Sequence, residues 1–412
     1  AGLHFLRQAL SVLLPTDADT HLLRAILYSG DAGRQAWRHW QHRAGDPLVA
    51  FERLPCEQKG LLPMLHRSVA RNGVEVEADV ASFLRAADFR EELRGNAYRR
   101  VLRQTARALA VGATPPVILR GCAIADTVYD APQARHSHGI HLLVHEVDLS
   151  RAGDRLAPLG YTPAQKGRGF GAETATRLWT HVCGLPLALH TRLIDVPYYD
   201  LPMGFVWART RPLHGFEAVA ATLAPEDALL HICGNAAESA TRHSLRWVCD
   251  AWLLITRERA LDWTLFLDTA KAARLALPLS LMMRYLAEAL EAPVPAEVCA
   301  RLDALAGNVD DVGHEVAVVA ALGGAHARMR RVLATAPDWP ARGRLLRCLL
   351  MPSPACARAL GHGPGIPRLS GYYLARVLRY AARTSAGLLR ELALVLACKV
   401  GRSRNQAPNA SP

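Results

Sequence analysis

The sequence predicts an α/β protein in which a small mixed sheet is flanked by mostly helical N- and C-terminal regions. Three observations predict it. Apolar residues recur at helical spacing over residues 1–110. Short β-type runs then alternate with helix-like segments over about 115–215. From Ala224-Pro225-Glu226-Asp227 onward helical spacing returns and continues to about residue 348.

The N-terminal region, 1–114, reads as helices around Phe5–Leu10, Leu22–Leu27 and Leu61–Leu65, with a long stretch from Val80 to Leu109. Punctuation at Gly45-Asp46-Pro47 and Gly73 separates these segments. Gly95 falls inside the long stretch and weakens the case for one continuous helix.

Pro115-Pro116 opens the sheet region, 115–215. Val117-Ile118-Leu119 is a first strand, and Ala123 to Tyr129 a helix. A polar loop with Pro132, Arg135, His136 and His138 leads to a second strand, Ile140-His141-Leu142-Leu143-Val144. A helix begun near Asp148 ends at Gly160-Tyr161, and Leu185–His190 is a third strand. The helical region 216–350 starts with Pro225 at a first-turn position, and Glu226-Asp227 favour the positive end of that helix. Pro352-Ser353-Pro354 breaks the pattern.

Within 351–400, Tyr372 to Val400 is amphipathic. Arg376, Arg379, Arg383 and Arg390 fall on one stripe, and Val377, Leu378, Ala381, Leu388 and Leu392 on the other. A surface helix packed on the body explains this. A membrane-surface or partner-binding helix explains it too. Residues 401–412 read as a disordered tail.

Composition narrows the function classes. Net charge is +12, and lysine occurs only at Lys59, Lys166, Lys271 and Lys399, so arginine dominates. A GC-rich genome produces that bias, and so does a surface that meets phosphates, an anionic substrate or acidic lipid. Nine cysteines without a C-x-x-C pair fit neither a disulfide framework nor a zinc knuckle, and point to a reduced cytoplasm. No uninterrupted apolar run is long enough for a membrane span. Aromatic content of 6% with no stacking motif argues against nucleic acid.

The phrase Leu119-Arg120-Gly121-Cys122-Ala123, followed by Tyr129, Arg135, Ile140–Val144 and Gly160-Tyr161, is similar to the core signature of a bacterial nucleotidyltransferase family. That family belongs to the DNA polymerase beta-like superfamily. Its members read Leu-Lys-Gly-Gly/Ala, an Arg, Asp-Ile-Asp-Leu-Leu-Val, then Gly-Tyr. Ala188-Leu189-His190-Thr191 corresponds to a family strand ending Glu-Leu-His-Trp, and Leu223–His231 and Leu245–Asp250 match two further family phrases. Tyr372-Tyr373 and the arginines after them also resemble the group. The order holds over about 115–270.

The resemblance implies a nucleotidyltransferase core at 115–215. It also implies a nucleoside triphosphate with magnesium if activity is retained. Two carboxylates at i and i+2 on a strand share a face and can hold the metals. Here the two positions are Gly139 and His141, and the third expected carboxylate falls at Ala188. Glycine and alanine offer no ligand, and imidazole is a poor magnesium donor. The resemblance therefore implies a protein that binds a substrate or nucleotide through Arg120, Gly121, Cys122, Arg135, Gly139, Lys166, Arg246 and Asp250, without standard two-metal transfer. Arg246 and Asp250 are four apart and are expected to pair on a helix surface.

Two alternatives stay open. One is histidine-based chemistry by His141 and His190, or a metal held by His141, His145 and His190. The other is an active transferase with relocated carboxylates such as Glu146, Asp148 or Glu173, although capping suits the first two. Relatives lie beside peptide natural-product and exopolysaccharide genes. A small-molecule, peptide or glycan substrate is thus implied, with a biosynthetic partner protein. Cytoplasmic residence is expected, with a peripheral membrane contact through 372–400 as the further option.

Overall fold

The computed structural model describes residues 7, 9–111, 114–164, 176–238, 245–258, 260–322, 339–361, 371, 373–374 and 376–378. In it a mixed seven-stranded sheet is embedded among helices, in agreement with the predicted class.

The N-terminal helices include α1 (Asp17–Leu27), α2 (Gly30–Ala44), α3 (Leu62–Arg71) and α4 (Ala78–Ala110). Thr16 and Asp19 form a capping box that fixes the start of α1. Trp40, Phe51 and Phe83 stack in the core that these helices share.

Gly95 does not interrupt the long helix: α4 runs unbroken for 33 residues. A mid-helix glycine costs about 1 kcal/mol, and packing along α4 outweighs it. Val80, Leu84 and Ala87 join one apolar cluster, whereas Leu102, Ala106 and Leu109 join another.

The strands are β1 (Val117–Ile118), β2 (Ile140–Leu143), β3 (Tyr161–Pro163), β4 (Thr176–His181), β5 (Pro186–His190), β6 (Arg211–Pro212) and β7 (Ala221–Thr222). Their order is β3-β4-β5-β2-β1-β7-β6. β2 and β5 run parallel, with His141 opposite Ala188 and Leu143 opposite His190. Strand alternation then sorts the side chains. Ile140, Leu142, Leu187 and Leu189 fill one face, against Leu102, Ala106 and Tyr161. His141, Ala188 and His190 share the other.

α5 (Arg120–Val128) follows β1, and α6 (Glu146–Leu156) follows β2. A short 3-10 turn to Leu159 and a left-handed Gly160 then end that segment as expected. Over the histidine face pack α7 (Pro225–Glu238) and α8 (Arg246–Arg257), then further helices to Leu322. Glu226 and Asp227 are buried and do more than favour a helix end. Asp227 takes two bonds from Arg209, at 2.9 and 2.6 Å, and Glu226 accepts the Asp262 N–H.

Of the C-terminal basic stripe, Arg376 lies among the described residues and bonds the Leu349 carbonyl. Arg379, Arg383, Arg390 and the tail lie outside them. Among the described residues no helix is long and apolar enough to cross a membrane.

Candidate functional site

A cleft of about 110 Å³ opens where the N-terminus of α5, the loop 135–139, the β2 strand and the helices α7 and α8 meet. Its lining includes Arg120, Gly121, Arg135, Gly139, His141, His231, Arg246 and Asp250. Most of the residues singled out in the sequence are therefore brought together, by α5 and β2 on one side and by α7 and α8 on the other.

The start of β2 is tightly built. A Cβ placed on Gly139 would meet the Pro186 carbonyl oxygen at 2.8 Å and Pro186 Cγ at 3.1 Å. Backbone of the neighbouring strand cannot swing away, so position 139 has no room for a side chain. Gly139→Ala is expected to lose about 1–3 kcal/mol of stability, the range for overpacking. Denaturant midpoints at an unchanged slope check this, and an unaltered midpoint would refute it.

His141 and His190 meet diagonally across β2 and β5, with 3.0 Å between Nδ1 of His141 and Nε2 of His190. His190 is buried, and its Nδ1 lies 3.0 Å from the Thr176 hydroxyl. Thr176 in turn donates to Asp195, at 2.8 Å. Burial, with Arg120 nearby, pushes the His190 imidazole down to about 3. Asp195 is exposed, and its backbone N–H and that of Val196 donate to Glu238 at the end of α7. Burial beside Asp195 pushes the Glu238 carboxyl up to about 8.

Arg120, not Gly121, has the left-handed backbone at the start of α5, with φ 57°. Glycine is needed at 121 for closeness instead: a Cβ there would lie 2.5 Å from Ser137 Oγ and 3.0 Å from Arg135 Nη1. Cys122 does not line the cleft. It faces a smaller cavity beside Leu102 and Asp126, with its thiol raised by burial.

Asp250 and Arg135 form a buried two-toothed pair, at 2.7 and 2.6 Å, and Tyr129 donates to the same carboxylate at 2.7 Å. Burial opposes the Arg135 charge, but Asp250 outweighs it and holds the guanidinium more firmly protonated than a free arginine. Burial and Asp250 together raise the Tyr129 phenol. The partnership expected along one helix, between Arg246 and Asp250, is thus made across elements by Arg135. Arg135 is correspondingly committed to the protein, and Arg120 and Arg246 are further guanidinium groups that line the cleft.

His231 is buried on α7, and neither of its nitrogens makes a side-chain hydrogen bond. Burial, then Arg120 and His190, push it down to about 3, against a contribution from the Leu193 backbone. The loop opposite is clamped by α4. Glu91 lies 2.6 Å from His136 Nδ1, and Arg94 donates to the Ser137 carbonyl at 2.6 Å.

Some expected residues lie elsewhere. His145 stacks on Trp207, with ring centres 3.8 Å apart, so it does not join His141 and His190. Among the described residues no group of three His, Cys, Asp or Glu is placed to hold a metal. Glu146 and Asp148 occupy the first turn of α6 and do not line the cleft; the N-cap is His145, and no side chain makes the expected capping bond. Lys166 and Glu173 lie outside the described residues.

Magnesium asks for several hard oxygen ligands in near-octahedral geometry. The strand face offers His141 and Ala188, and position 139 has no side chain, so these residues do not fit it. Thr176 and Asp195 were not singled out in the sequence. A lone Thr and a lone Asp carry no local pattern, and only the fold puts them beside His190.

A family model described as uncharacterised nucleotidyltransferase matches residues 55–291. That span includes every cleft residue named above. The crystal structure of JHP933 from Helicobacter pylori is similar at 15% identity, covering 58% of this chain and 93% of that one, with a TM-score of 0.27. No curated protein matches the chain.

Proposed function

The chain belongs to the family of uncharacterised nucleotidyltransferases, and we propose that it binds a phosphate-bearing substrate or a nucleotide in this cleft without standard two-metal nucleotidyl transfer. The setting proposed is a bacterial biosynthetic pathway for a peptide natural product or a glycan. The observation that carries the reading is the closed space at Gly139. A carboxylate there is missing from the sequence and is also excluded by the Pro186 backbone. Arg120 and Arg246 supply positive charge, and the α5 N-terminus supplies N–H groups that favour an anion. His141 and His190 support a second reading, in which the same cleft performs histidine-based chemistry.

Titration calorimetry with ATP and with pyrophosphate tests the main reading. Binding is expected in EDTA as well as in magnesium. Arg246→Gln should weaken it about tenfold, the worth of one charge-assisted hydrogen bond. Magnesium-dependent release of pyrophosphate from ATP by the purified chain would overturn the proposal.

A further inference from the structure

Behind one wall of the cleft lies a second cavity of about 240 Å³, roughly twice the volume of the cleft. It is enclosed by α1, α3, the segment 129–134 and α8. Tyr129 lines it, while the Tyr129 hydroxyl donates to Asp250, which lines the cleft. The two spaces share this partition and, among the described residues, no lining residue. The floor of the second cavity is apolar: Ile26, Leu27 and Leu253 are buried there, with Met64 half-buried beside them. Its rim is charged. Arg257 pairs with Asp130 at 2.7 Å, and Arg67 with Asp88 at 2.9 Å. Arg71 is exposed and, among the described residues, bonds to no carboxylate. Its Nη2 donates to the Ile26 carbonyl, the Tyr28 carbonyl and Ser68 Oγ, at 3.4, 3.3 and 3.5 Å. These long bonds hold the guanidinium at the rim without cancelling its charge. The charged groups that act on it are Asp130 and Arg257, so the three together leave one positive charge in excess.

We infer that this cavity is a binding site for a small apolar monocarboxylate, with its tail against Ile26, Leu27 and Leu253 and its carboxylate on Arg71. A cavity of about 150 Å³ takes one benzene ring, so this one takes a ligand of roughly ten non-hydrogen atoms. Burying the tail removes apolar surface from water, which supplies the affinity. The guanidinium offers paired N–H groups in the plane that a carboxylate needs, which supplies the orientation. One excess positive charge matches one negative charge, and a dianion would bring its second charge against Asp130. A nucleotide is too large for the space and too polar for the floor. The site is separate from the cleft and does not depend on what the cleft binds.

Titration calorimetry of the full chain with sodium butyrate, hexanoate, octanoate and dodecanoate, and with 1-octanol, tests this. Affinity should rise about threefold per methylene from butyrate to octanoate, and stop rising at dodecanoate, whose tail outgrows the cavity. 1-Octanol has the same chain without the charge, and should bind about tenfold more weakly than octanoate. Arg71→Gln should weaken octanoate about tenfold and leave 1-octanol unchanged, whereas Arg71→Lys, which keeps the charge, should retain most of the affinity. Met64→Trp fills the cavity and should abolish binding of both, with far-ultraviolet circular dichroism reporting that the fold is kept. If that variant does not fold, the Arg71 pair decides. Absence of octanoate binding in the wild type, or equal octanoate affinity in wild type and Arg71→Gln, overturns the site. So does a folded Met64→Trp that binds octanoate as the wild type does. An affinity that keeps climbing to dodecanoate overturns it too, because a closed cavity of this size cannot reward the longer tail.

Discussion

Replacing Asp250 with alanine is expected to cost about 3–5 kcal/mol of unfolding free energy, the range for removing one partner of a buried ion pair. The carboxylate is 5% exposed and the Arg135 side chain 10%. With Asp250 gone, the guanidinium keeps its charge and its burial but loses both charge-assisted bonds. The Tyr129 hydroxyl loses its acceptor at the same time. Adding Arg135→Met to Asp250→Ala should recover much of the loss, because the double variant buries no unpaired charge. Urea midpoints at constant slope are the measurement. A loss below about 1 kcal/mol for Asp250→Ala would mean that water reaches Arg135, and would remove this pair as the rigid wall of the cleft.

Acid should destabilise the protein through His231. An unfolded histidine titrates at 6.5, whereas the folded His231 resists protonation down to about 3. Its contribution is whole above 6.5 and is lost as pH falls from there towards 3, because the unfolded chain then binds the proton that the folded one refuses. His231→Gln puts a non-titrating amide of similar size at the same place. Between pH 7 and pH 5 the wild type should lose about 2 kcal/mol more than the variant. Glu238 works in the opposite sense. Its carboxyl is raised from 4.5 to about 8, so its contribution is present below 4.5 and fades as pH rises. Comparison with His231→Gln cancels that part. Stability curves that run parallel from pH 7 to pH 5 would show that His231 is hydrated or already charged in the folded state.

The parts of the fold that were legible in the sequence are those whose pattern is local. β1, β2 and β5 carry dense apolar runs because the sheet buries them on both faces, and α7 announces itself through Pro225 and its acidic first turn. β4 gave no such signal. Thr176-Arg177-Leu178-Trp179-Thr180-His181 is half-buried or exposed throughout, so no alternation marks it. β6 and β7 have two residues each and are too short for any period to show. The parallel pairing of β2 with β5 and side-chain parity put His141 and His190 on one face. The rest of the site depends on long-range contacts. Arg135 and Asp250 are 115 positions apart, and the helical spacing rule pointed to Arg246 because it sees only neighbours on one helix. Gly139 was read as a lost ligand. Only the close approach of Pro186 shows that it is also a packing requirement.

The unbroken α4 has a mechanical meaning. At roughly 1.5 Å per residue it is about 50 Å long, one end embedded among the N-terminal helices and the other beneath the sheet. Glu91 and Arg94, which hold the loop at His136 and Ser137, lie near its middle. That wall of the cleft therefore hangs from the span of a beam fixed at both ends. Displacing it by any large distance requires the beam to bend or one of its anchorages to melt. The loop thus gains the stiffness of two cores at once, and that wall of the cleft holds its position.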